Sequence, residues 1–152
     1  MSLKDERRLD FGWGVEIATR WADCDAYGHV NNIIYYSWFD TAVTRMMYER
    51  GVLSMESPSI GLCVESRCEY FAPVEFPQSV EARVRIGRIG EKSLRYEIGL
   101  FLPHVEQPAA AGHFVHVFVE RLSRRPTPLT QAQKAAIADL GASVSAEVSQ
   151  TR

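Results

Sequence analysis

The residues best placed to do chemistry lie between Arg20 and Gly51, in the run RWADCDAYGHVNNIIYYSWFDTAVTRMMYERG. Asp25 stands in a short polar loop ahead of Asn31 and Asn32, both good helix N-caps. A helix that opens there leaves its first backbone N–H groups without partners, and those groups carry partial positive charge. A carboxylate beside them joins a general base or nucleophile to a site for an oxygen that turns negative. That pairing suits acyl transfer. Each residue also has a plainer role open to it. Asp25 suits a loop acid that holds its turn through backbone hydrogen bonds. His29 suits a loop hydrogen bond, and Asn31 and Asn32 suit simple caps. Asp40 suits an ion pair or hydrogen bond with Arg45 or Thr44 one helical turn on.

These residues need elements to position them. Val15, Ile17, Thr19 and Trp21 alternate with polar or small neighbours, which predicts a strand over Gly14–Trp21. After the loop Ala22–Val30, Tyr35, Phe39, Ala42, Val43, Met46 and Met47 recur at helical spacing, and Gly51 marks the stop. Apolar and aromatic side chains dominate this helix, so burial by more than one neighbour is expected. Strands follow over Ile60–Phe71, Val80–Arg88, Ser93–Leu102 and Ala110–Leu122, with a turn at Gly87–Lys92. On the first of these, simple alternation puts Leu62, Val64, Cys68 and Tyr70 opposite Glu65, Arg67 and Glu69. Apolar residues on both faces of the last strand predict a central place for it. A short helix over Thr130–Leu140 opens on a capping box, Thr130 with Gln133, and Gly141 closes it. The predicted fold is therefore α+β, with a five-stranded antiparallel sheet curled around one long helix and a short C-terminal helix. Residues 1–11 read as a frayed start, 12–141 as a single domain and 142–152 as a solvated, flexible tail. An open sheet leaves edges unpaired, and pairing with a second copy makes a homo-oligomer the expectation.

Composition sets limits. A chain of 152 residues has room for one core, and a net charge of −2 supplies no basic field for nucleic acid or an acidic membrane surface. No apolar run approaches the roughly 18 residues of a membrane span, and the opening MSLKDERRLD lacks the core of a signal peptide. Cys24, Cys63 and Cys68 are odd in number and lack metal spacing, so a reduced, cytoplasmic protein is expected. His113 and His116 stand three apart on a strand and face opposite ways, which argues against a shared metal.

On these residues the chain resembles the hotdog-fold thioesterases, specifically the 4-hydroxybenzoyl-CoA thioesterase family, over about residues 12–140. Asp23-Cys24-Asp25, Gly28-His29-Val30-Asn31-Asn32 and the aromatic helix carry the likeness. Tyr70-Phe71-Ala72-Pro73, the Gly90–Leu94 hairpin and Pro126–Leu129 extend it. The resemblance implies an acyl-CoA thioesterase, with Asp25 as the catalytic carboxylate and the Asn32 backbone N–H polarising the carbonyl. The family's named enzyme has a tyrosine at the place of Asn32, but a backbone donor does not depend on its side chain. The Gly-His-Val-Asn-Asn run also resembles acyl-ACP thioesterases, which draws in His29 and leaves the carrier open between CoA and ACP. Asp40-Thr41-Ala42 resembles the helix acid of phenylacetate-type relatives and supplies an alternative acid, Asp40. The resemblance implies that the nucleotide of substrate CoA lies at the surface, its phosphates near Arg88, Lys92, Arg124 or Arg125, and that the acyl arm enters between subunits of a dimer or tetramer. No metal or separate cofactor is implied. A non-catalytic acyl-CoA or fatty-acid binder is the reading of a different class.

Overall fold

A computed structural model describes residues 2–141; the tail expected over 142–152 lies outside them. The chain runs β1 (Trp13–Ala18), α1 (Asn32–Glu49), β2 (Ser59–Tyr70), β3 (Ser79–Ile89), β4 (Ser93–Phe101), β5 (Ala110–Glu120) and α2 (Gln131–Ile137), with short 3-10 turns between and after. The five strands form one antiparallel sheet in the order β1-β3-β4-β5-β2. α1 bridges the two edge strands and lies against the inner face. Its Tyr35, Trp38, Phe39, Val43, Met46 and Met47 pack into one core with Val84, Ile86, Leu94, Tyr96, Ile98 and Phe114. Helical periodicity on one side and strand alternation on the other make this core possible.

α1 opens as its sequence predicts. The Asn31 side-chain oxygen accepts from the Ile33 N–H at 3.2 Å. It closes at Gly51, whose φ of 70° is the left-handed conformation that glycine adopts without a Cβ clash. At α2, Thr130 and Gln133 exchange the two capping-box hydrogen bonds, at 3.0 and 2.9 Å. Regular helix stops at Ile137, and Ala138–Leu140 is a 3-10 turn.

Five local readings change. β1 ends at Ala18, and Trp21–Asp23 form a 3-10 turn. The reason is Asp23, only 1 % exposed, whose carboxylate accepts from the Arg20 backbone at 2.8 Å and from the Arg20 guanidinium at 2.8 and 3.0 Å. α1 is buried on one side only, because a single sheet covers it; Ile33, Asp40, Thr41, Thr44, Arg45 and Tyr48 face outward. On β2 a bulge between Cys63 and Glu65 resets the alternation. Leu62 pairs with Val117 on the outer face, beside Glu65 and Arg67, while Cys63, Cys68 and Tyr70 face inward. Another register shift follows Ile86, so β3 continues through Arg88 and Ile89 and the turn shrinks to about Gly90–Lys92. Finally, the opening segment is packed. Phe11 is fully buried with its ring 5.8 Å from Phe101, Arg8 bonds Glu81 at 2.7 Å, and Glu6 reaches the buried Arg85 at 3.1 Å.

Candidate active site

The loop before α1 is held at both ends by its own backbone. Cys24 and Val30 form an antiparallel bridge, the Asp25 N–H donates to the His29 carbonyl at 2.9 Å, and the Asn31 N–H donates to the Asp23 carbonyl at 2.9 Å. Gly28 turns the loop with φ 84°. Asp23, the first acid of Asp23-Cys24-Asp25, is thus a buried brace. Asp25, the second, lines a cavity of about 440 Å3.

Asp25 holds its turn and keeps one oxygen free. One carboxylate oxygen accepts from the Tyr27 N–H at 2.9 Å, which holds the turn. The other has no hydrogen-bond partner among the described residues. Across the cavity stands the start of α1. The Ile33 N–H is taken by the Asn31 side chain and the Ile34 N–H by the Asn31 carbonyl. The Asn32 N–H has no partner among the described residues, and Asn32 lines the same cavity as Asp25. A free carboxylate oxygen and a free first-turn N–H therefore share one cavity, at the end of a helix whose dipole favours negative charge.

Tyr70 holds this helix end from β2. Its hydroxyl donates to the Asn32 carbonyl at 3.0 Å, and its ring meets that of Tyr35 edge to face at 4.9 Å. Sequence reasoning placed Tyr70 on the face opposite Glu65, Arg67 and Glu69 and in the Tyr-Phe-Ala-Pro likeness, but gave it no role at the helix end. His29 lies on the cavity rim, exposed, with its Nε2 3.6 Å from the Glu75 carboxylate.

Asp40 lies elsewhere. It is eight residues past Asn32 on the same helix, about 12 Å along the axis at about 1.5 Å per residue. It sits on the outward face beside Thr41, Thr44 and Tyr48. The pairing expected with Thr44 or Arg45 does not form; Arg45 turns to Glu49 at 3.8 Å. The group that feels Asp40 is His116 on β5. Burial among aromatic rings holds the His116 imidazole below its ordinary pKa, and the Asp40 charge opposes that shift. His116 Nδ1 is 3.2 Å from the Tyr96 hydroxyl, and burial pushes that phenol well up. His113 faces the other side, between Glu65 and Arg95.

The four candidate phosphate cations are not near Asp25 within one protomer. Arg88 and Lys92 flank the β3–β4 turn, and Arg124 and Arg125 follow β5, where the Glu120 N–H donates to the Arg125 carbonyl. Lys92, Arg124 and Arg125 are at the Ser59 end of the β2–β5 ladder and Arg88 is level with Glu65, whereas Asn32 is at the Tyr70 end. From residue 59 to residue 70 the ladder spans about 36 Å at about 3.3 Å per residue. The three cysteines are free. Burial pushes the Cys68 thiol up to about 11, which leaves it protonated and a poor nucleophile.

Residues 19–137 match the thioesterase-like superfamily. In three dimensions the chain is similar to the PA5185 protein of Pseudomonas aeruginosa strain PAO1, at 48 % identity and a TM-score of 0.87, over 91 % of this chain and 97 % of that one. It is similar to the PA2801 protein of the same species, provisionally described as a thioesterase, at 30 % identity and a TM-score of 0.74, over 82 % and 96 % of the two chains. A 1,4-dihydroxy-2-naphthoyl-CoA thioesterase from Synechocystis shares the fold at 20 % identity and a TM-score of 0.74, over 84 % and 96 %. No protein with a curated description matches the sequence.

Proposed function

The chain belongs to the thioesterase-like superfamily, and on that premise we propose that it hydrolyses an acyl-CoA thioester to the free acid and CoA. One observation carries the reading: the free oxygen of Asp25 and the free N–H of Asn32 line the same cavity. The thioester carbonyl oxygen sits on the Asn32 N–H, where the helix dipole stabilises charge as it develops. Asp25 either takes a proton from a water that attacks the carbonyl carbon, or attacks it directly to form an acyl-aspartyl anhydride that water then cleaves to the free acid and the carboxylate; in both routes coenzyme A leaves as the thiolate. Tyr70, bonded to the Asn32 carbonyl, keeps the donor in place.

The working unit in this reading is a homo-oligomer. β2 pairs only with β5, so its other edge is unpaired along twelve residues among those described. Two copies joined antiparallel along that edge bring the Ser59 end of one beside the Tyr70 end of the other. Lys92, Arg124 and Arg125 of one copy would then stand near Asp25 of its neighbour, placed for the phosphates of CoA. That resolves a separation that no single protomer can bridge.

Thiol release from a panel of acyl-CoA and acyl-ACP thioesters tests the proposal. Turnover of acyl-CoA supports it, turnover confined to acyl-ACP moves the carrier, and tight binding without release makes the protein a ligand carrier.

A further inference from the structure

A second cavity, of about 320 Å3, adjoins the first, and the two share Phe71 and Ala72 as walls. Its volume falls in the range of ligand pockets, about 300–1,000 Å3. Its lining differs in kind from that of the first. Leu102, Val105, Pro108 and Ala109 from the β4–β5 loop face Phe71 and Ala72, and Gln107 is the one uncharged polar side chain among them. The remaining wall is the opening segment, through Lys4 and Asp5.

These walls are tied together. The Arg8 guanidinium donates to the Leu102 carbonyl at 2.7 Å and to the Val105 carbonyl at 2.6 Å, and it bonds Glu81 at 2.7 Å. The Arg8 N–H donates to the Glu106 carbonyl at 3.0 Å. On the other side the Phe71 and Ala72 N–H groups both donate to the Ala109 carbonyl, at 2.8 and 3.0 Å. One arginine thus pins the opening segment to the β4–β5 loop, and one carbonyl pins that loop to the chain beside the active site.

We propose that this second cavity is the acyl subsite, and that it takes the tail of an unbranched aliphatic acyl group whose thioester lies between Asp25 and Asn32. The inference rests on the hydrolase reading above. The tail must pass Phe71 and Ala72 to reach the cavity, which suits a flexible chain better than a compact ring. Six of the nine lining residues, Phe71, Ala72, Leu102, Val105, Pro108 and Ala109, are apolar, and they gain most from burying an aliphatic tail. Arg8 is a positioning residue in this scheme, since it shapes the wall and does not touch the ligand.

The test is kcat/KM for acetyl-, butyryl-, hexanoyl- and octanoyl-CoA with wild type and Val105→Trp. Val105 is 44 % exposed on a loop, so the larger ring can be built there without disturbing the core. Wild type should favour octanoyl- over acetyl-CoA by at least about tenfold, since one methylene in an apolar pocket is worth about tenfold or more. Val105→Trp should remove most of that preference and leave acetyl-CoA within about twofold. Arg8→Ala should flatten the same series through KM rather than kcat. A chain-length profile unchanged by Val105→Trp, or an equal loss on acetyl-CoA, overturns the subsite. If wild type cleaves none of the four, the hydrolase reading fails separately, and calorimetry with octanoyl-CoA decides the subsite. Binding about tenfold weaker in Val105→Trp supports it; equal binding overturns it.

Discussion

The loop before α1 and the middle of α1 each carry a carboxylate, and only the first shares a cavity with a free backbone N–H among the described residues. At the start, Asp25 faces a backbone N–H that the helix cannot use, because no turn precedes it. At the middle, Asp40 is surrounded by N–H groups already spent on carbonyls one turn back. It lies exposed to solvent, and its charge is felt by the buried His116 imidazole. The difference shows what the carboxylate alone does not supply. An acid becomes a catalytic candidate where the backbone also offers a donor to the oxygen opposite it.

The largest expected effect breaks the start. Asp25→Asn should lower kcat on the best acyl-CoA by about a hundredfold or more, as removal of a general base or nucleophile does. Melting temperature should stay nearly unchanged, because an Asn side chain still accepts from the Tyr27 N–H. The matching change in the middle is smaller. Asp40→Asn should alter kcat by less than about tenfold, an effect below about 1.4 kcal/mol. Loss of turnover in Asp40→Asn with an active Asp25→Asn would reverse the assignment.

The smallest effect sharpens the role of the middle. His116 has a folded-state pKa below its ordinary value, so between the two values the unfolded chain binds more protons. The stability it contributes is fully present above about pH 6.5 and is lost as pH falls through that window. Asp40→Asn removes the charge that opposes this shift, so the His116 pKa should fall further. Thermal melts should then show a steeper loss between about pH 7 and pH 5. His116→Phe should flatten that loss, and a pH dependence that both variants leave unchanged would remove His116 from the account.

Much of the helix start was legible in the sequence, and the reasons are local. Asn31 caps through its own side chain, Gly51 stops the helix through its own φ, and Asp25 lies within one loop of Asn31. What escaped the sequence depends on distant partners. Alternation places Cys68 and Tyr70 opposite Glu65, Arg67 and Glu69 correctly, but nothing in Leu62-Cys63-Val64-Glu65 signals the bulge that turns Leu62 outward. Phe11 stands alone among charged residues and gives no period, so its burial against Phe101 could not be read. The distance between Asp25 and the basic residues depends on strand register, which pattern alone does not set.

The central claim is that a backbone donor, and no side chain, polarises the carbonyl at the helix start. It is tested most directly by kcat for Asn32→Pro beside Asn32→Ala. Proline is well accepted at the first helical position, and Asn31, at φ −61° and ψ 139°, already has the extended conformation that a following proline requires. Asn32→Pro deletes only the N–H, so kcat should fall by roughly a hundredfold to a thousandfold, as for loss of an oxyanion-hole donor, with the melting temperature kept. Asn32→Ala retains the N–H and should keep kcat within a few-fold of wild type. A folded Asn32→Pro with wild-type turnover, or an inactive Asn32→Ala, would contradict the account.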